Sequence, residues 1–227
     1  MPAIRDALLD ALAVLLPVDC AGCGTADRAL CGDCREHLRP TIVRASLADG
    51  TSVYSGLVYG GRARRVLLAF KEEGRTGLAG VLADALSATV VAAVAAVEAL
   101  DGASNSRELE LCVVPSSRSA RRRRGYEPVR MLLARAGLRA TPVFAPARRH
   151  RTQKSLSVAD RQSNLRGVFR LRRPVAGRRF VLVDDVVTTG ATLLEAARIL
   201  RDGGAEVVAA ATAATTPRRS APSGVTK

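Results

Sequence analysis

The sequence predicts an α/β protein: a mainly parallel sheet flanked by helices, with a small N-terminal zinc ribbon of four cysteines. Three observations predict it. Beyond Pro40, apolar strand-like runs alternate with segments of helical period. Several of those runs are continuously apolar, as strands buried on both faces are. Four of the five cysteines fall into two CxxC pairs between Cys20 and Cys34. The length of 227 residues gives one full domain and a small appendage. Hydrophobic residues at 48% and charged residues at 25% exclude wholesale disorder. Aromatics are 3% and Trp is absent, so the core must be built from Val, Leu, Ile and Ala.

Residues 1–17 read as an amphipathic helix, with Leu8, Leu12, Leu15 and Leu16 at helical spacing. Its uninterrupted apolar run, 11–16, is shorter than a signal core needs. Residues 18–45 form the predicted zinc ribbon. Each CxxC pair makes a tight turn that aims two thiolates at one tetrahedral ion, so Cys20, Cys23, Cys31 and Cys34 are the candidate ligands. Two disulfides or a redox CxxC are the alternatives; a cytoplasmic setting weakens the first and the doubling weakens the second. All four ligands are cysteine, which leaves no open position for catalysis and makes the zinc structural. His37 reads as a solvated residue at a helix start, and Cys112, inside an apolar run, as a buried small hydrophobe.

The main domain is predicted over 46–216. Residues 52–59 read as a strand, 62–73 as a helix and 77–100 as a long Ala-rich helix. Its run 85–100 is too short to span a bilayer and contains Glu98. No membrane partner is expected and the protein reads as cytoplasmic. Residues 101–105 read as a loop, 109–114 as a buried strand and 126–136 as a helix. A short strand is expected at 141–145, and a helix is expected to begin near Val158. A continuous apolar strand follows at 180–183, then a helix at 191–201 and a strand at 206–211. Residues 217–227 read as a disordered tail.

Charge is concentrated. From Arg118 to Arg179 there are 19 basic residues and two acids, a surplus of 17, against +14 for the whole chain. One region is therefore built to face anions: phosphates, nucleic acid or acidic partners. Only Lys71, Lys154 and Lys227 are lysine, and such an Arg and Ala preference discounts raw basicity as a sign of nucleic acid.

Two strand ends carry the chemistry, because ligands of parallel sheets bind at the carboxyl ends of strands. The first is Asp184-Asp185-Val-Val-Thr188-Thr189-Gly190-Ala191-Thr192 after the strand at 180–183. Backbone N–H groups at the helix start, with the Thr188, Thr189 and Thr192 hydroxyls, can wrap a monoester phosphate. Gly190 lets the backbone approach closely, and the two carboxylates can accept from sugar hydroxyls or help hold a metal. An acidic strand end with a Thr cap accounts for one residue of this string, not for all of it. The second strand end is Pro115-Ser116-Ser117-Arg118, followed by Arg121 to Arg124. Four adjacent arginines cannot all face one ligand, and a solvated basic loop accounts for some of them.

The first string resembles the phosphoribosyl-pyrophosphate (PRPP) motif of type I phosphoribosyltransferases. The wider series is similar to the ComF family, phosphoribosyltransferase-like proteins linked to competence and DNA uptake. That series is the CxxC–CxxC head, the run into Arg124-Gly125-Tyr126, the segment from Arg151 to Ser157, and Arg161 to Asn164 with Gly167 and Phe169. Lys71 lies where that family commonly has a lysine. The resemblance implies the type I phosphoribosyltransferase fold and a transferase moving ribose 5-phosphate from PRPP, with Mg²⁺, to an unknown acceptor. It assigns Asp184 and Asp185 to the ribose hydroxyls and residues 188–192 to the 5-phosphate. Ser116, Ser117 and Arg118 fall to the diphosphate with its metal. Purine-salvage members often have an acid where Thr188 stands, which disfavours purine salvage. The same family association gives the alternative, a non-catalytic accessory protein that binds single-stranded DNA or a competence helicase. Type I members commonly form homodimers, which nothing in the sequence decides.

Overall fold

The computed structural model describes residues 18–101, 108–115, 122–146 and 169–217. The helix expected at 1–17, most of the loop at 101–105, the helix near Val158 and the tail lie outside these residues.

After the cysteine knuckles comes a short helix, α1 (Gly32–His37). The elements of the main domain follow as β1 (Val43–Ser46), β2 (Ser52–Val58), α2 (Gly61–Glu72) and α3 (Ala79–Asp101). The chain continues through β3 (Leu109–Val113), α4 (Pro128–Arg135), β4 (Phe144–Pro146) and β5 (Phe169–Leu171). It closes with β6 (Arg179–Val187), α5 (Ala191–Asp202) and β7 (Glu206–Thr215). The main sheet has the order β1-β2-β7-β6-β3; β4 and β5 form a separate antiparallel pair. All neighbours in the main sheet are parallel except β1 and β2.

Two cores flank this sheet, as a doubly covered parallel sheet requires. One packs α2, α3 and α4 against alternate residues of the strands, such as Val181, Val183 and Ala211. The other packs α5 and the β4–β5 pair against Phe180, Leu182 and Ala210. Aliphatic side chains and alanine fill most of both, as the composition requires. Among the described residues aromatic rings meet at two places, Phe70 with Tyr126 and Phe144 with Phe169. At Gly56 on β2 a Cβ would lie 2.6 Å from the Ala85 carbonyl oxygen of α3. The helix backbone therefore rests directly on the sheet there, and only glycine fits.

Several elements depart from the sequence reading. Residues 43–45 were expected in the ribbon, but β1 pairs Val43 to Ser46 with β2, so the sheet reaches back into that segment. Its half-exposed alternation of Val, Arg, Ala and Ser carries no apolar signal. β6 and β7 each run four residues further than expected, because Val186 and Val187 keep pairing with Ala214 and Thr215. The short strand expected at 141–145 is shifted to Phe144–Pro146; Thr141 instead donates its N–H to Leu111 and its hydroxyl to Glu110. His37 closes α1 rather than starting a helix, and it is exposed. Residues 85–100 belong to an apolar helical stretch, Thr76–Asp101, that is long and apolar enough to cross a membrane. Ten residues of α3 are buried, and α3 packs against β7 and β2, which accounts for its apolarity as a core helix.

Candidate donor site and cysteine knuckle

The acid pair sits inside β6, at its carboxyl end, rather than in the loop beyond it. Asp184 pairs in register with Thr212 of β7. Asp185 is buried at 8% exposure, and its Oδ2 meets Lys71 Nζ of α2 at 2.9 Å. The backbone N–H of Asp185 donates to Asp184 Oδ1 at 2.8 Å. Among the described residues Lys71 pairs with Asp185, and no ion pair involves Asp184. Burial, and then the charge of Asp185, push the Asp184 carboxyl up to about 8; the Asp185 N–H and Lys71 oppose the shift. The Asp184 carboxyl therefore holds a proton more readily than an ordinary carboxyl, and the pair offers oxygens toward hydroxyl groups.

Beyond Val187 the chain turns through exposed Thr188 and Thr189 to Gly190 at φ +78° and enters α5. Only glycine takes that left-handed conformation readily. No side chain caps α5, and the Ala191 N–H leans on Thr189 Oγ1 at 3.3 Å. Thr192, half-buried, stands in the first turn. Hydroxyls and helix-start N–H groups therefore gather beside the acid pair, the arrangement that receives an anion. A strap from the end of β7 steadies the turn: Thr216 donates its N–H to Val187 at 3.0 Å and its hydroxyl to the Thr188 carbonyl at 3.4 Å. Thr216 ends the predicted main domain, and nothing in the sequence singled it out as a site residue.

The expected diphosphate residues Ser116, Ser117 and Arg118 lie outside the described residues, as do Arg121 and Gln153. The strand that leads to them is placed. Val113 pairs with Val183, and the Val114 N–H bonds the Val183 carbonyl, so β3 ends next to Asp184. The arginines after it are partly accounted for. Arg123 and Arg124 both bind Glu72 of α2, at 2.8 and 2.7 Å, and the Tyr126 hydroxyl donates to the Phe70 carbonyl. The Arg124 hydrogen bond leads the causes that hold Glu72 below its ordinary range. The last turn of α2 thus holds Tyr126, Asp185, Arg123 and Arg124, through Phe70, Lys71 and Glu72. Asp185, Arg124, Tyr126 and Lys71 each stood out in the sequence, but their pairings with α2 did not, because the partners lie more than 50 residues apart.

At the other end of α2 stands the cysteine knuckle. The ligand atoms of Cys20, Cys23, Cys31 and Cys34 lie within 4.8 Å of one another, and no disulfide joins them. The Cys31 N–H points at Cys20 Sγ at 3.3 Å and the Cys34 N–H at Cys31 Sγ at 3.4 Å. Burial resists ionisation of Cys20, but N–H groups of Cys31, Cys23 and Gly22 outweigh it and bring the thiol down to about 6. Buried Cys34 is pushed the other way, first by burial and then by its sulfur neighbours. A Cβ on Gly22 would lie 2.6 Å from Cys34 Sγ, so the turn is cut to admit that sulfur. Four crowded thiols of this kind could hold one tetrahedral zinc ion, which would ionise them together. Cys112 is fully buried, as expected.

Arginines fasten the knuckle to the sheet domain. Arg62 pairs with Asp33 at 2.7 Å, Arg65 Nε donates to the Gly22 carbonyl at 2.5 Å, and Arg75 donates to Asp19 and Ala29 carbonyls at 2.6 and 3.2 Å.

Residues 120–224 match the phosphoribosyl transferase domain family. The chain is 53% identical over 57 residues to DNA utilization protein YhgH of Escherichia coli (strain K12), a match covering 25% of each chain. It is 45% identical over 60 residues to Competence protein F of Haemophilus influenzae, covering 25% of this chain and 26% of that one. Orotate phosphoribosyltransferase 2 of Mesorhizobium japonicum is 55% identical over 47 residues, 20% of this chain and 24% of its own. These matches span about a quarter of the relatives' length. Among solved structures, orotate phosphoribosyltransferase from Aeropyrum pernix is 17% identical with a TM-score of 0.36, covering 80% of this chain and 90% of its own. An adenine phosphoribosyltransferase is 12% identical with a TM-score of 0.37, covering 80% and 89%.

The domain match and the sheet with its strand-end acids define a phosphoribosyltransferase-like protein. With the four-cysteine cluster and the partial matches to YhgH and Competence protein F, the findings support a ComF family protein.

Proposed function

We propose that the site at the end of β6 binds PRPP and that the protein transfers its ribose 5-phosphate to an acceptor, in a cytoplasmic role linked to DNA uptake. One observation carries this reading. An acid pair set into the sheet, one member held by Lys71, runs within five residues through a left-handed glycine into the start of a helix. The pair suits ribose hydroxyls and the turn suits a terminal phosphate.

In the transfer, the bond from the anomeric carbon to diphosphate breaks and its electron pair leaves with the diphosphate. The acceptor's lone pair forms the new bond, and the acceptor gives up its proton. Positive charge develops on the sugar, so the enzyme's work is positioning and charge stabilisation. Asp184 and Asp185 would hold the hydroxyls and favour that charge, while Thr188, Thr189, Thr192 and the helix-start N–H groups would anchor the phosphate. Mg²⁺ would neutralise the leaving diphosphate; the acids offer the hard oxygen donors it prefers, although Lys71 already engages Asp185. At the knuckle, a structural zinc fits the four thiols.

The test is calorimetric titration of the zinc-loaded protein with PRPP, with and without Mg²⁺. Mg²⁺-dependent binding that disappears in Asp184→Asn/Asp185→Asn supports the reading and justifies an acceptor screen. A folded protein that binds no PRPP sinks it. The stretch from Arg118 to Arg179, with its surplus of 17 positive charges, favours a second reading: an accessory protein for single-stranded DNA or a helicase. That reading requires DNA binding that weakens steeply with salt and survives the double substitution.

A further inference from the structure

The turn between β1 and β2 packs beneath the proposed phosphate-receiving segment, although nothing in its sequence marks it as part of a site. Leu47 is buried at 8% exposure, in the same core as Val187 and Leu193. A Cβ built on Gly190 would stand 2.6 Å from Leu47 Cδ2, with Val187 Cγ2 next at 3.9 Å. Leu47 therefore occupies the space that glycine leaves open, and it does so at the residue whose backbone turns left-handed into α5.

The hairpin that carries Leu47 is itself fixed. The Leu47 N–H bonds the Thr51 carbonyl at 2.9 Å, and the Gly50 N–H returns to the Leu47 carbonyl at 3.1 Å. Asp49 accepts the Thr51 N–H at 3.0 Å. Arg201, in the last turn of α5, pairs with Asp49 and donates to Thr51 Oγ1 at 2.8 Å. One tight turn thus touches α5 at both ends: Leu47 at its entry and Asp49 with Thr51 at its exit.

We propose that Leu47 is a positioning residue for the phosphate-receiving turn, propping Gly190 so that the helix-start N–H groups and threonine hydroxyls converge on the 5-phosphate of the donor. The proposal rests on the reading of residues 188–192 as that cradle. Leu47 touches no ligand. It restricts the backbone that does, and preorganised donors bind an anion better than mobile ones.

Ribose 5-phosphate is the probe, because it engages the cradle and lacks the diphosphate. Affinity is measured by calorimetry on folded protein, with thermal unfolding followed in parallel. Leu47→Ala is expected to weaken ribose 5-phosphate about tenfold, with Mg²⁺-diphosphate unchanged and Leu47→Met restoring most of the loss. Gly190→Ala is expected to lose binding, and Leu47→Ala placed in that background is expected to recover part of it, because the contact at 2.6 Å is removed. Unchanged affinity in Leu47→Ala, or losses in the two variants that simply add, overturns the proposal and leaves the parent reading standing. Wild-type protein that binds neither ribose 5-phosphate nor PRPP overturns the parent reading and this proposal with it. A variant that unfolds at the assay temperature is replaced by Leu47→Val, for which the same affinity split is required.

Discussion

The cysteine knuckle and the donor site lie at opposite ends of the same helix and are built in opposite ways. All four candidate ligands of the knuckle fall within one short stretch, and its sulfurs take N–H groups from that stretch. The donor site joins Lys71 to Asp185 across more than a hundred residues, and the sheet itself carries its acids. A site made locally depends on its ion, whereas a site made by the sheet depends on the fold. α2 connects the two, holding the knuckle through Arg62 and Arg65 and the acid pair through Lys71.

Removing a zinc ion held by the knuckle should produce the largest effect. Structural zinc in small knuckles is worth about 10–16 kcal/mol of apparent binding energy. Chelation or Cys34→Ser is expected to unfold residues 18–38 and leave the sheet intact. Hydrogen exchange would show loss of protection in α1 with β6 and β7 still protected. Loss across both would erase the contrast between a local and a global site.

Next comes the pH response of the acid pair. At low pH, Asp184 is protonated in both folded and unfolded chains. As pH rises above the ordinary value of 3.8, the unfolded carboxyl ionises while the folded one keeps its proton to about 8. Stability contributed by this group therefore falls across that window. At about 1.4 kcal/mol per pKa unit the shift corresponds to at most about 6 kcal/mol. Asp184→Asn is expected to flatten that slope in urea unfolding measured from pH 4 to 8. An unchanged slope would mean that the two carboxyls share their charge differently.

Lys71→Ala should come third. It leaves the buried Asp185 carboxyl without its cation, at a cost of about 1–3 kcal/mol. Chemical denaturation measures it, and adding Asp185→Asn should recover part of the loss. The smallest effect is expected from Glu72→Gln. Its carboxylate is partly exposed, and such pairs contribute about 1 kcal/mol or less. A much larger loss would show that Arg123 and Arg124 hold more of the neighbouring loop than one turn.

The difference between the regions also explains what could be read in advance. Cys20, Cys23, Cys31 and Cys34 were legible because spacing along the chain is the geometry of the knuckle. The string from Asp184 to Thr192 was legible for the same reason: strand, turn and helix start follow one another in sequence. Lys71 stood out only as a family position, and Glu72, Thr216 and Leu47 did not stand out at all. Each acts through a residue far away in the chain, and each side chain is ordinary for its own element.

The sequence by itself determined the alternation of elements, the aliphatic core, the four clustered thiols and the acid-threonine-glycine string, because periodicity and short spacing are properties of the chain alone. Tertiary structure alone decided that the acids lie inside β6, that Asp185 faces Lys71 while burial raises Asp184, and that Leu47 packs against Gly190. Burial and charge compensation depend on which distant groups the sheet brings within a few ångströms, and no local pattern encodes that distance.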